Sequence, residues 1–155
     1  MINKQASAFI GHTAARLGRQ VDAALAKVDL SSAQYRMLFQ LADGAEASTT
    51  LARKLEVSAP SVTAVVDGLV NRGLIERTHS SLDRRRVSLD LTDEGRKVLA
   101  LADDSVGAHL TMIAGYLDGT NTEELLDDLL AWSEALDAYR AARMARRARK
   151  EVGKV

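Results

Sequence analysis

The 155-residue sequence predicts a mainly α fold with one small β-hairpin, and three observations predict it. Apolar positions recur in alternating steps of three and four over most of the chain, the spacing of helices that pack on other helices. A stretch near the middle, Val87-Ser88-Leu89-Asp90-Leu91, instead alternates apolar with polar residues, the period of a half-buried strand. Ala and Leu dominate while aromatics make up 4% of the chain, a balance that favours helix.

The elements follow in order. The run Ile10, Ala14, Leu17, Val21, Ala24 and Val28 predicts a first long helix. Ser31-Ser32 are good N-cap residues for a shorter second helix through Tyr35, Leu38, Phe39 and Ala42, with Gly44 as its stop. Ser48 is read as the cap of a third helix carrying Leu51 and Leu55. Ser58 is read as the cap of a fourth, with Pro60 in its first turn and Val62, Val65, Val66 and Leu69 inside. Gly73 closes that helix in a left-handed conformation. Two short helices joined by Glu56-Val57 have the proportions of a helix-turn-helix whose second member enters the DNA major groove, although any helical hairpin can mimic the pattern.

Leu74 to Thr78 reads as a strand and the Val87–Leu91 alternation as its partner, joined by a link rich in Ser, Asp and Arg. Thr92 then caps a fifth helix, with Asp93 and Glu94 where the helix dipole favours negative charge. Its apolar positions, Leu99, Ala102, Val106, His109, Ile113 and Leu117, run on to the break at Asp118-Gly119-Thr120-Asn121. A sixth helix carries Leu125, Leu129, Trp132, Leu136 and Tyr139 on one seam, so Trp132 and Tyr139 are read as core or dimer packing. Helix, turn, helix, hairpin is the order of a winged helix-turn-helix, here flanked by N- and C-terminal dimerisation helices. The expected division is 1–30 and 100–150 for dimerisation, 31–99 for the winged helix-turn-helix DNA-binding region, and 151–155 as a tail.

Lys and Arg number 21 and Asp and Glu 21, so the formal charge is zero and any anion binding must be local. Bases gather at Arg84-Arg85-Arg86 and from Arg140 to Lys150, the latter read as a solubilising, dipole-matched helix end. Without cysteine there is no disulfide framework and no thiolate metal site. His12, His79 and His109 are too dispersed for a metal motif, so neither metal nor cofactor is expected. No apolar run approaches the roughly 20 residues of a bilayer span, and the start lacks a signal-peptide pattern, which predicts no membrane partner and a cytoplasmic protein. A glycine-rich phosphate loop, a nucleophile elbow and a His-Glu-x-x-His motif are all missing from the sequence, which argues against an enzyme.

The stretch Asp83-Arg84-Arg85-Arg86-Val87-Ser88-Leu89-Asp90-Leu91-Thr92-Asp93-Glu94-Gly95 resembles the wing signature of the multiple-antibiotic-resistance regulator (MarR) family: Asp-x-Arg, a strand, then Leu-Thr-x-x-Gly. The segments around Leu51-Ala52, Val57-Ser58, Pro60, Val62-Thr63, Val66-Asp67, Leu69 and Arg72-Gly73-Leu74-Ile75 resemble its helix-turn-helix and first strand. The resemblance covers nearly the whole chain. It implies a homodimeric winged-helix repressor or activator that binds a pseudo-palindromic double-stranded DNA operator and is often released by a small ligand. It also implies that Arg85, flanked by Arg84 and Arg86, reaches the minor groove, while Asp83 holds the wing's shape by pairing with an arginine. The physics agrees, because a guanidinium suits a narrow groove of negative potential and a carboxylate near phosphates must serve another purpose.

The fourth helix departs from the family pattern, with Ala64 and Gly68 where basic residues are common. Ser61 and Thr63 remain to bond base edges or phosphates, and Pro60 or Val62 to touch a thymine methyl. Specificity is therefore expected to lean on the wing and on DNA shape. The alternative is an architectural or protein-binding winged helix with little sequence preference. His12, Arg16 and Tyr35 fall where the family's first two helices border a cleft, a candidate pocket for an aromatic or anionic effector that competes with ordinary packing as an explanation.

Overall fold

The computed structural model describes residues 4–42, 44, 46–79, 87–118 and 121–152. Their order is α1 (Lys4–Ala26), α2 (Ser32–Ala42), β1 (Glu46–Ala47), α3 (Ser48–Lys54), α4 (Ala59–Asn71), β2 (Ile75–His79), β3 (Val87–Leu91), α5 (Asp93–Ala114) and α6 (Thr122–Val152). Two compact units result, Met1–Leu110 and Thr111–Val155.

In the first unit, α2 and α4 pack on a small antiparallel sheet in the order β1-β3-β2. The hairpin register pairs Ile75 with Leu91 and His79 with Val87. Leu89 and Leu91 point into the core, as their alternation predicts. There they join Leu25, Leu38 and Leu41 from the first two helices, Leu51 from α3, Val66 and Leu69 from α4 and Leu99 from α5. Burying each such leucine contributes about 2 kcal/mol, so this cluster is what holds the five helices to the sheet.

Local chemistry sets the helix starts. Ser31 and Gln34 cap reciprocally, Gln34 N donating to Ser31 Oγ at 3.2 Å and Ser31 N to Gln34 Oε1 at 2.9 Å. Ser58 accepts from Ser61 N at 3.3 Å, and Thr92 Oγ1 accepts from Gly95 N at 3.0 Å. Ser48 is not the cap expected of it. Ala47 holds that place, with no side-chain bond, because residues 46–47 extend to pair with Leu89 and Ser88 of β3 and the chain is drawn into the sheet one residue before the helix.

Three helices end alike. Leu30 N bonds Leu25 O at 3.1 Å, Val57 N bonds Ala52 O at 3.1 Å and Leu74 N bonds Leu69 O at 3.0 Å. Each closes a Schellman motif over a residue in the left-handed region. At the end of α4 that residue is Gly73, at φ 68°, where glycine carries no steric penalty. The other two are Asp29 and Glu56, both at φ 54°, and a side chain in that region is strained by about 1 kcal/mol.

Two boundaries differ from the sequence reading. The first strand is shifted by one, since Leu74 is buried and its carbonyl accepts from Thr92 N at 3.2 Å instead of entering the hairpin ladder. The fifth helix ends at Ala114, before Leu117. Gly115 weakens it there, and i→i+3 bonds from Tyr116 and Leu117 tighten the last turn.

In the second unit α6 runs unbroken to Val152, so the basic stretch from Arg140 is helical. Trp132 and Tyr139 are 64% and 66% exposed, so core packing within the chain does not account for them. Phe9, Ile10 and Leu17 on α1 are likewise exposed, although Val21, Ala24 and Leu25 further along pack inward. Among the described residues no helix is long and apolar enough to cross a membrane.

Candidate nucleic-acid interface

The exposed side of the fourth helix begins at its cap. Ser58 Oγ lies 2.8 Å from Ser61 Oγ, so the hydroxyl that caps α4 also orients the first exposed serine within it. Thr63 Oγ1 donates to Ala59 O at 3.1 Å, which leaves its oxygen free to accept. Pro60, Ser61, Thr63 and Ala64 are all exposed.

Val62 is a correction: it is 1% exposed, inside the core, and has no surface to offer a thymine methyl. Its spacing to Val66 and Leu69 is that of one buried helix face, a signal present in the sequence. Gly68 is half-buried, and a Cβ there would stand 3.9 Å from Gln34 Nε2, so the position faces α2.

The hairpin is fixed to this helix. Arg77 of β2 donates through Nη2 to Asp67 Oδ1 of α4 at 2.5 Å, and Thr78 Oγ1 meets Ser88 Oγ across the strands at 2.8 Å. Arg96 at the start of α5 pairs with Asp90 at 3.7 Å. The strands thus leave α4 in a defined direction. Asp83, Arg84, Arg85 and Arg86, the residues expected at the wing tip, lie outside the described residues.

The Leu-Thr-x-x-Gly segment has a physical role of its own. Thr92 Oγ1 donates to Gly73 O at 2.7 Å while capping α5, tying the turn after α4 to the end of β3. Gly95 then lets α5 pass directly over Leu74: a Cβ at this position would lie 1.9 Å from Leu74 O.

Tyr35, of the three residues read as an effector pocket, bonds to Asp103 and meets Phe39, not His12 or Arg16. The side chains of His12 and Arg16 are exposed on α1 and make no hydrogen bond or ion pair among the described residues. Tyr35 is half-buried, and its hydroxyl donates to Asp103 Oδ1 of α5 at 2.6 Å. Burial, and then the bond to Asp103 and its negative charge, raise the phenol pKa above its ordinary value. Its ring meets that of Phe39, itself 54% exposed, at 6.5 Å and 48°.

Sequence reasoning missed Asp103, 68 residues from Tyr35, and the pairs Arg77–Asp67 and Arg72–Asp29. It gave His109 no partner; the ring Nε2 lies 3.0 Å from Gln20 Oε1, while Nδ1 is buried without one. Among the described residues no cluster of His, Cys, Asp and Glu is grouped to hold a metal.

Residues 28–86 match the model of the MarR family. The HTH-type transcriptional regulator FarR of Neisseria gonorrhoeae is 34% identical over 132 residues, covering 83% of this chain and 90% of FarR. The HTH-type transcriptional repressor YetL of Bacillus subtilis is 29% identical over 98 residues, 61% of this chain, and the match spans 57% of YetL's own length. Among solved structures, the transcriptional repressor CouR bound to a 23-mer DNA duplex superposes with a TM-score of 0.71 at 29% identity, covering 87% of this chain and 92% of CouR.

Proposed function

The chain belongs to the MarR family, and on that premise we propose that it is a cytoplasmic DNA-binding transcriptional regulator, a homodimer that acts mainly as a repressor. It is a regulator, not an enzyme. The observation that carries the reading is the pairing of an exposed α4 face, Pro60, Ser61, Thr63 and Ala64, with a hairpin braced to the same helix through Arg77 and Asp67. Two such units place two α4 helices in successive major grooves about one helical turn apart, with each hairpin flanking on the minor groove of a pseudo-palindrome. The names of FarR and YetL as transcriptional regulators, and the duplex bound to CouR, support this assignment.

Residues 1–30 and 100–150 form the dimerisation region. The exposed Ile10 and Leu17 on α1 and Leu129, Trp132, Leu136 and Tyr139 on α6 favour it, being apolar seams that one copy of the chain leaves uncovered. Residues 31–99 bind DNA. Pro60, Ser61 and Thr63 face the groove from α4, Arg84, Arg85 and Arg86 from the wing, and Asp83 orients the arginines. A small aromatic or anionic effector acts near His12, Arg16 and Tyr35. A preference for one spacing of the DNA-binding regions, worth about 1–3 kcal/mol, suffices to switch binding several fold.

In-vitro selection from random duplex DNA tests the reading, and recovery of an inverted repeat protected by the protein is the expected result. The lack of a long donor at the exposed Ala64 favours a second reading, an architectural or protein-binding winged helix with little sequence preference. Equal competition by unrelated duplex DNA would decide for it.

A further inference from the structure

The strained end of α1 and the glycine end of α4 meet through one side chain. Arg72, the C-cap of α4, donates through Nη1 to the carbonyl of Asp29 at 2.6 Å, and its Nη2 lies 3.3 Å from the Asp29 carboxylate. Asp29 occupies the left-handed position that closes α1, and Gly73, next to Arg72, occupies the same position after α4. The guanidinium therefore sits where two helix C-termini both present negative charge, a setting that favours a cation. Arg72 is exposed as a residue, yet its side chain retains 32% of its accessible surface, and two of its guanidinium nitrogens are engaged by Asp29.

We infer that Arg72 is a positioning residue: it clasps the C-terminus of the recognition helix to the end of α1, and through that clasp fixes the half-site spacing the protein accepts. The inference rests on the DNA-binding, dimeric reading of the chain. Core leucines hold α4 against its neighbours, but apolar contacts are non-directional, whereas a two-point bond to a backbone carbonyl and a carboxylate fixes angle as well as distance. Since α1 belongs to the dimerisation region and α4 meets the groove, rotation about this junction changes the separation of the two recognition helices.

The test uses a duplex selected by the wild-type protein from a random pool, with derivatives whose central spacer is lengthened or shortened by one and two base pairs. Wild-type affinity is expected to fall by about tenfold or more with a changed spacer, and that of Arg72→Ala by less than about threefold. Affinity for the selected duplex itself declines modestly, and Arg72→Lys, which can still donate to the Asp29 carbonyl, restores part of the preference. An unchanged spacing profile in Arg72→Ala, with thermal melting confirming a folded protein, would overturn the inference alone. So would a uniform loss over all spacers with a salt slope lower by about one, the mark of a direct phosphate contact. Failure of the wild type to select any duplex, or to prefer any spacing, removes the DNA-binding or dimeric premise and the inference with it.

Discussion

Gly95 and Leu74 are in such close approach that a single added methyl group at Gly95 would lie 1.9 Å from the Leu74 carbonyl oxygen and 2.9 Å from its carbon. The contact is with backbone, and the same carbonyl already accepts from Thr92 N, so the obstacle is not a side chain that can swing aside. Gly95→Ala must push α5 away from the turn that follows α4. A loss of roughly 3 kcal/mol is expected, read as a lower urea midpoint. Retention of wild-type stability would show that the junction yields more than this geometry allows.

The bond between Tyr35 and Asp103 gives a prediction with a pH signature. Its phenol has a folded pKa above the unfolded value near 10, so the stability it contributes is complete below about pH 10 and is lost as pH rises towards the raised folded value. Tyr35→Phe should cost about 1 kcal/mol at neutral pH, a typical figure for one hydrogen bond. The gap between the two proteins should stay constant from pH 6 to about 9 and narrow above about 10. A gap that already closes below pH 9 would contradict the assignment.

Asp29 makes a surface ion pair, and removing one is usually taken to weaken a protein. Here the carboxylate is 95% exposed, so the pair is worth well under about 1 kcal/mol, while the left-handed backbone costs roughly 1 kcal/mol with a side chain present. Glycine relieves that strain and keeps the carbonyl that Arg72 binds. Asp29→Gly should be neutral to slightly stabilising, within about 0.5 kcal/mol, after the added freedom of the unfolded chain is counted. Chemical denaturation decides, and a loss above about 1 kcal/mol would show that the carboxylate matters more than its exposure suggests.

For the proposed wing, Arg85→Ala should weaken binding to a selected duplex by about 1–3 kcal/mol and leave dimerisation intact. Binding titrations at several salt concentrations, with sedimentation for the dimer, measure both. Unchanged affinity would remove Arg85 from the interface.

What the sequence made legible was local. Ser58, Gly73 and Thr92 could be assigned because a cap or a left-handed turn is decided by residues within one helical turn of it. The strand alternation at Leu89 and Leu91 was equally plain, since its period is carried by neighbours. Val62 shows a legible signal overridden: its register with Val66 and Leu69 marked it as core, but its place next to Ser61 and Thr63 had assigned it to the groove. The two-residue β1 was not legible, because its extended form comes from pairing with Leu89 and Ser88, over 40 residues away. The clasp between Asp29 and Arg72 and the bond from Tyr35 to Asp103 had no pattern to reveal them, since each joins residues that only the finished fold brings together.

The short β1 has a consequence for how copies of the protein can associate. By pairing with β3 it leaves β2 as the long outer strand, and there the exposed Glu76 and Arg77 oppose the addition of another chain's backbone. Sheet-to-sheet growth, the route by which a hairpin protein drifts into open-ended polymers, is thereby discouraged at both margins. Association is left to side chains on helices, where a closed assembly of fixed size is the natural end point.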